Sequence, residues 1–124
     1  MPVIQASQAV VHHMHGTSFT SYARPATGSR ELCGWRVEIP AHTEGVAHRV
    51  AREEVLYLLS GAIRVELDDD WHDAVAGDAI VVPAGTMFRV DNLADEPVVA
   101  WVTTTAGFGA VLPDGSWLTP PWTT

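Results

Sequence analysis

The sequence predicts an all-β protein, a sandwich or small barrel of short strands. Three observations carry this. No segment holds a helical apolar period for more than about two turns. Short apolar runs recur along the chain, and several alternate with the period of two that a half-buried strand requires. Turn formers separate them: Pro40, Gly61, Asp68-Asp69-Asp70, Gly77-Asp78, Pro83-Ala84-Gly85 and Pro113-Asp114-Gly115.

The elements follow in order. Val3 to Val11 is mixed and weakly strand-like, and Phe19 to Tyr22 forms a short strand. In Trp35-Arg36-Val37-Glu38-Ile39 the three apolar residues share one face. Val55 to Leu59 is an unbroken apolar run, which predicts a strand buried on both sides. Ser60-Gly61 turns it into Ala62 to Leu67, a second strand of a hairpin. The three aspartates after it form a solvated turn; a calcium loop needs more oxygen ligands at set spacing. Further strands are expected at Trp71 to Val75, Ala79 to Val82, Met87 to Val90, Pro97 to Thr104 and Phe108 to Leu112. The tail Trp117-Leu118-Thr119-Pro120-Pro121-Trp122 cannot be helical, and its tryptophans should pack on the body or on a partner.

Composition narrows the function classes. The 124 residues suit one domain, and 47% apolar against 18% charged content is that of a globular chain. Net charge is −8 and every basic residue is arginine. Such a chain offers no basic stripe for nucleic acid or an anionic membrane, and no lysine for a Schiff base. Cys33 is alone, so it forms no internal disulfide and should be a buried, inert thiol. No basic region followed by an apolar core opens the sequence, and no apolar run reaches the roughly 18 residues that span a membrane. A cytoplasmic location is the expectation.

Two stretches resemble a known family. His48-Arg49-Val50, three further residues, Glu54, six residues and Gly61 follow the second half of the first motif of the cupin superfamily. Gly77, five residues, Pro83-Ala84-Gly85, two residues, Phe88, three residues and Asn92 follow its second motif. The resemblance implies a double-stranded β-helix, a jelly-roll-like small barrel. It also implies metal ligands at two histidines and a glutamate of the first motif and a histidine of the second. Here His48 and Glu54 stand at two of those places. Val50 and Phe88 occupy the others, and His42 stands where the first motif glycine is expected.

The replacements turn a metal site into something else. A mononuclear metal needs about three protein ligands. With two left, no cofactor is expected. Iron, manganese, nickel or zinc would bind only if His42, or His13 and His15, joined His48 and Glu54. Val50, Phe88, Val90, Leu56 and Leu58 should line the barrel, with Trp35, Val37 and Trp101 beside them, Arg89 in the pocket or on its rim, and His42 in a loop over the mouth. Burial raises a glutamate pKa and lowers that of a histidine, which suits both to acid/base work near neutral pH. The expected function is metal-independent proton transfer on a small hydrophobic substrate, with His48 as base and Glu54 as its orienter or the acid. By resemblance this is isomerase, epimerase, cyclase or dehydratase chemistry, on a substrate such as a polyketide intermediate. A metal-dependent, dioxygenase-like enzyme and a non-catalytic binding module are the alternatives; a leftover His48–Glu54 hydrogen-bonded pair is the structural one. A homodimer is expected by resemblance, its contacts made by the N-terminal strand (about residues 1–22) and the tail (about 113–124).

Overall fold

A computed structural model describes residues 3–124, and the first two residues of the N-terminal segment lie outside them. Twelve strands form: β1 Val10–Met14, β2 Thr17–Ala23, β3 Leu32–Ile39, β4 His48–Val50, β5 Glu54–Ser60, β6 Ala62–Leu67, β7 Asp70–Val75, β8 Ala79–Val82, β9 Met87–Asp91, β10 Val98–Thr105, β11 Ala110–Val111 and β12 Trp117–Leu118. They make two six-stranded antiparallel sheets, ordered β1-β2-β3-β10-β5-β8 and β12-β11-β4-β9-β6-β7. The all-β expectation holds. No helix among the described residues is long and apolar enough to cross a membrane.

The core lies between the sheets, where each strand turns alternate side chains inward. Trp35, Val37 and Ile39 of β3, Leu56 and Leu58 of β5 and Val98, Ala100 and Val102 of β10, all on one sheet, share one buried cluster with Phe88 of β9 on the other. Burial of this kind contributes roughly 25 cal/mol per Å² of apolar area. Cys33 joins the core and its thiol lies 3.4 Å from the Thr123 carbonyl oxygen.

β5 departs from expectation. It is buried on one side only, since Val55, Tyr57 and Leu59 are exposed. Val81 of the neighbouring β8 is exposed on the same pattern. An unbroken apolar run does not separate a central two-faced strand from one whose outer face is merely apolar; only the absence of a layer beyond that sheet does. The tail takes the first of its two expected places through Trp122, which is buried within its own chain and stacked on Phe19 at 3.8 Å. Trp117 remains exposed.

Asn92 ties the end of β9 to the loop after β3. It is wholly buried. Its amide nitrogen donates to the carbonyls of Ile39, Pro40 and Glu96 at 3.2, 3.0 and 2.9 Å, and its amide oxygen accepts from Ala94 N–H at 3.1 Å. Asn92→Asp would set an acceptor against three carbonyl oxygens. It is expected to lower unfolding free energy by about 3 kcal/mol or more in urea titration. A loss below about 1 kcal/mol would show that water replaces these bonds.

Candidate active site

One end of the sandwich opens into a cavity of about 170 Å³. β3 and β5 supply one wall through Trp35, Val37 and Leu56, and β9 supplies the other through Phe88 and Val90. The β1–β2 turn brings Met14 and His15 to it, and the loop between β3 and β4 brings Thr43 to Val46. The tail covers one side with Leu118, Pro120 and Trp122.

His48 and Glu54 both line this cavity. Glu54 opens β5 on its inward parity and is only 5% exposed. Its carboxyl has no hydrogen bond and no ion pair within 4.0 Å among the described residues. Burial alone pushes its pKa up to about 8, so the group is neutral at pH 7. His48 opens β4, directly across from Phe88 in the β4–β9 register. The two rings meet edge to face with centroids 5.5 Å apart. His48 Nδ1 lies 2.9 Å from the Val46 carbonyl oxygen. A carbonyl only accepts, so Nδ1 carries the hydrogen and Nε2 keeps a lone pair. Burial pushes the His48 pKa below the usual 6.5, the Val46 bond opposes this, and His15 lowers it further.

These two groups do not hold each other. No hydrogen bond or ion pair joins them, so the reading of a satisfied His48–Glu54 pair is corrected, as is that of Glu54 orienting the imidazole. The backbone of Val46 orients it instead.

Of the other expected lining residues, Trp35, Val37, Leu56, Phe88 and Val90 are in place. Val50 shares the side of β4 with His48 but is wholly buried in the core and does not reach the cavity. Trp101 is corrected. β10 turns Ala100 and Val102 inward, so Trp101 lies on the outer face, its indole nitrogen donating to Thr103 Oγ1 at 3.1 Å and its ring 5.7 Å from Tyr22. Arg89 also faces away, by the same parity on β9; its guanidinium grips Asp91 at 2.9 and 3.1 Å. His42 sits in a left-handed turn (φ 56°) that turns it outward to Asp95, 2.8 Å away.

Among the described residues no three His, Cys, Asp or Glu side chains are grouped closely enough to hold a metal ion. His13 is exposed and bonded to Ser18 at 3.2 Å. His15 lines the cavity from the β1–β2 turn.

Residues missed in the sequence are Phe19, Phe108 and Trp122, all of which line the cavity. Trp122 lies far along the chain from the motifs. The only signal was that an aromatic tail unable to form a helix must pack somewhere.

An antiparallel double-stranded β-helix with a cavity at its mouth defines a class of small pocket-bearing barrels. Within that class the chain belongs to the cupin family, whose cupin domain matches residues 35–104. Its structure is similar to the polyketide cyclase RemF from Streptomyces resistomycificus, at 15% identity and TM-score 0.75, over 85% of this chain and 79% of that one. It is similar also to KdgF from Halomonas sp., at 20% identity and TM-score 0.68, over 82% and 90% of the two chains. A Streptomyces PAC13 variant with uridine matches at 18% identity and TM-score 0.69, over 83% and 79%. No curated protein matches the chain. At these identities the likeness shows the fold alone.

Proposed function

We propose that the chain is a small-molecule enzyme performing metal-independent proton transfer on a hydrophobic, ring-bearing substrate, with reactions of the isomerase, epimerase, cyclase or dehydratase type. The observation that carries this is the inverted pair of proton states. A protonated carboxyl and a neutral imidazole line one apolar cavity without being spent on each other. His48 Nε2 takes a proton from carbon, and Glu54 gives one to the oxygen where charge builds up. With a carbonyl acceptor this makes an enol; the imidazolium then returns its proton to a different carbon of that enol while the Glu54 carboxylate takes back the hydroxyl proton, which completes an isomerisation. With a hydroxyl leaving group, a carbon–carbon double bond forms and water departs. In that case His48 leaves as imidazolium and Glu54 as carboxylate, and one proton moved between them restores the site.

The cavity size supports a compact substrate. An apolar cavity of about 150 Å³ takes up a single benzene ring. One ring fits here, with the remainder of a larger molecule leaving through the mouth.

Nuclear magnetic resonance of carbon-labelled glutamate and nitrogen-labelled histidine tests the pair directly. Glu54 should keep its proton at pH 7 and lose it near pH 8, and His48 should show the neutral Nδ1–H form at pH 6.5. An ionised Glu54 at pH 6 removes the acid from the scheme.

A further inference from the structure

The charge around the cavity is one-sided. None of the seven arginines lines it. Arg89, on the strand that carries Phe88 and Val90, is held by both oxygens of Asp91. Arg36 faces Glu38 and Arg64 faces Asp73, both on outer surfaces. A phosphate or carboxylate entering the cavity finds no guanidinium to receive it.

It finds Glu44 instead. This residue lines the cavity from the loop between β3 and β4. Its carboxylate has no hydrogen bond and no ion pair within 4.0 Å among the described residues; Arg89 feels its charge from a longer distance, while its own guanidinium is bonded to Asp91. Its backbone is fixed from both sides. Thr43 exchanges two hydrogen bonds of 2.8 Å with Asn92, and Gly45 N–H donates to Asp91 Oδ1 at 2.8 Å. Gly45 packs so closely on β9 that a Cβ there would stand 2.1 Å from the Val90 carbonyl oxygen. The carboxylate is thus carried on a backbone that two neighbouring residues pin to the barrel.

Aromatic rings complete the picture. Phe19 and Trp122 are stacked, and Trp35 lies tilted against Phe108 with centroids 6.2 Å apart. All four line the cavity. An aromatic wall takes an apolar ring and also attracts a cation. A carboxylate at the edge of such a wall recognises an ammonium by a charge-assisted hydrogen bond. The net charge of −8 favours approach of the same sign of ligand.

We propose that the cavity takes an amine, a compound whose apolar ring lies against Phe19, Trp35 and Trp122 while its ammonium group pairs with Glu44. This rests on the cavity being the functional site and names the substrate class for it.

Three probes of matched shape test the assignment by calorimetry: phenethylamine, phenylethanol and phenylacetate. At low ionic strength the amine should bind about two- to fivefold more tightly than the alcohol, and the acid more weakly than either. Glu44→Gln should bring amine and alcohol to equal affinity, with the alcohol reporting that the cavity is intact. Phe19→Ala should weaken all three together. The assignment is overturned if the acid binds as tightly as the alcohol, if Glu44→Gln keeps the preference for the amine, or if none of the probes binds. The order of binding is independent of turnover. Ordered binding with no reaction on any amine leaves the ligand class standing and removes the enzyme reading; turnover of a carboxylate substrate does the reverse.

Discussion

His48→Gln is expected to slow the ring opening of a nitrobenzisoxazole by roughly a hundredfold or more, the usual contribution of a positioned general base. The probe is neutral, planar and apolar, and its reaction needs one base and little else. Its nitro-stabilised leaving oxygen takes no proton from the enzyme, so Glu54→Gln should cost far less with this substrate. The pH profile separates the two candidate bases. A neutral His48 acts once the pH exceeds its lowered pKa, so the rate should pass half of its plateau below pH 6.5 and stay flat through pH 8. Were Glu54 the base, the rate would climb towards its pKa of about 8. A His48→Gln variant as fast as wild type, or a rate that climbs up to pH 8, defeats the assignment. For a substrate with a hydroxyl leaving group both groups are needed. Activity should then rise with pH below 6.5 and fall again around pH 8.

The second large effect concerns stability. The Glu54 pKa is raised from 4.5 unfolded to about 8 folded. The folded protein therefore holds this proton more tightly than the unfolded chain. The associated stability is complete below pH 4.5, is lost progressively as pH rises, and is gone above about pH 8. Integrated over that window it is on the order of 5 kcal/mol. Glu54→Gln keeps the size and polarity of the neutral group but cannot ionise. Wild type should lose stability relative to this variant between pH 4.5 and pH 8, and the gap should stay constant above that. Guanidinium unfolding of both proteins over a pH series measures it. Parallel curves would mean that the carboxyl is hydrated or paired, and the acid role would go with it.

The two predictions draw on one cause. A carboxyl placed at the start of an inward-facing strand, in a cavity it shares with Leu56, Phe88 and Val102, has no side-chain partner among the described residues to hold its charge. The same desolvation that costs stability at high pH keeps the proton available for donation at pH 7. Phe88 is central to this: directly across from His48, it replaces a polar neighbour with a ring.

The sequence by itself determined the fold class, the turns and the inward places of His48, Glu54 and Phe88. Strand periodicity and turn chemistry are local, and the two spaced motifs pin the register of the strands that carry them. It also determined the limits on chemistry, since a chain without lysine and with two apolar residues at ligand positions restricts what its site can do. Only the tertiary structure decided which face of each strand meets a second layer. That is why β5 is half-exposed and Trp101 stands outside, although both sit in apolar runs. It decided too that Val46, not Glu54, orients the imidazole, because a backbone carbonyl leaves no trace in residue identity. Trp122 reached the cavity from the far end of the chain, and Glu44 was fixed at its edge by Thr43 and Gly45. Such placements depend on contacts between segments distant in sequence, which no local pattern encodes.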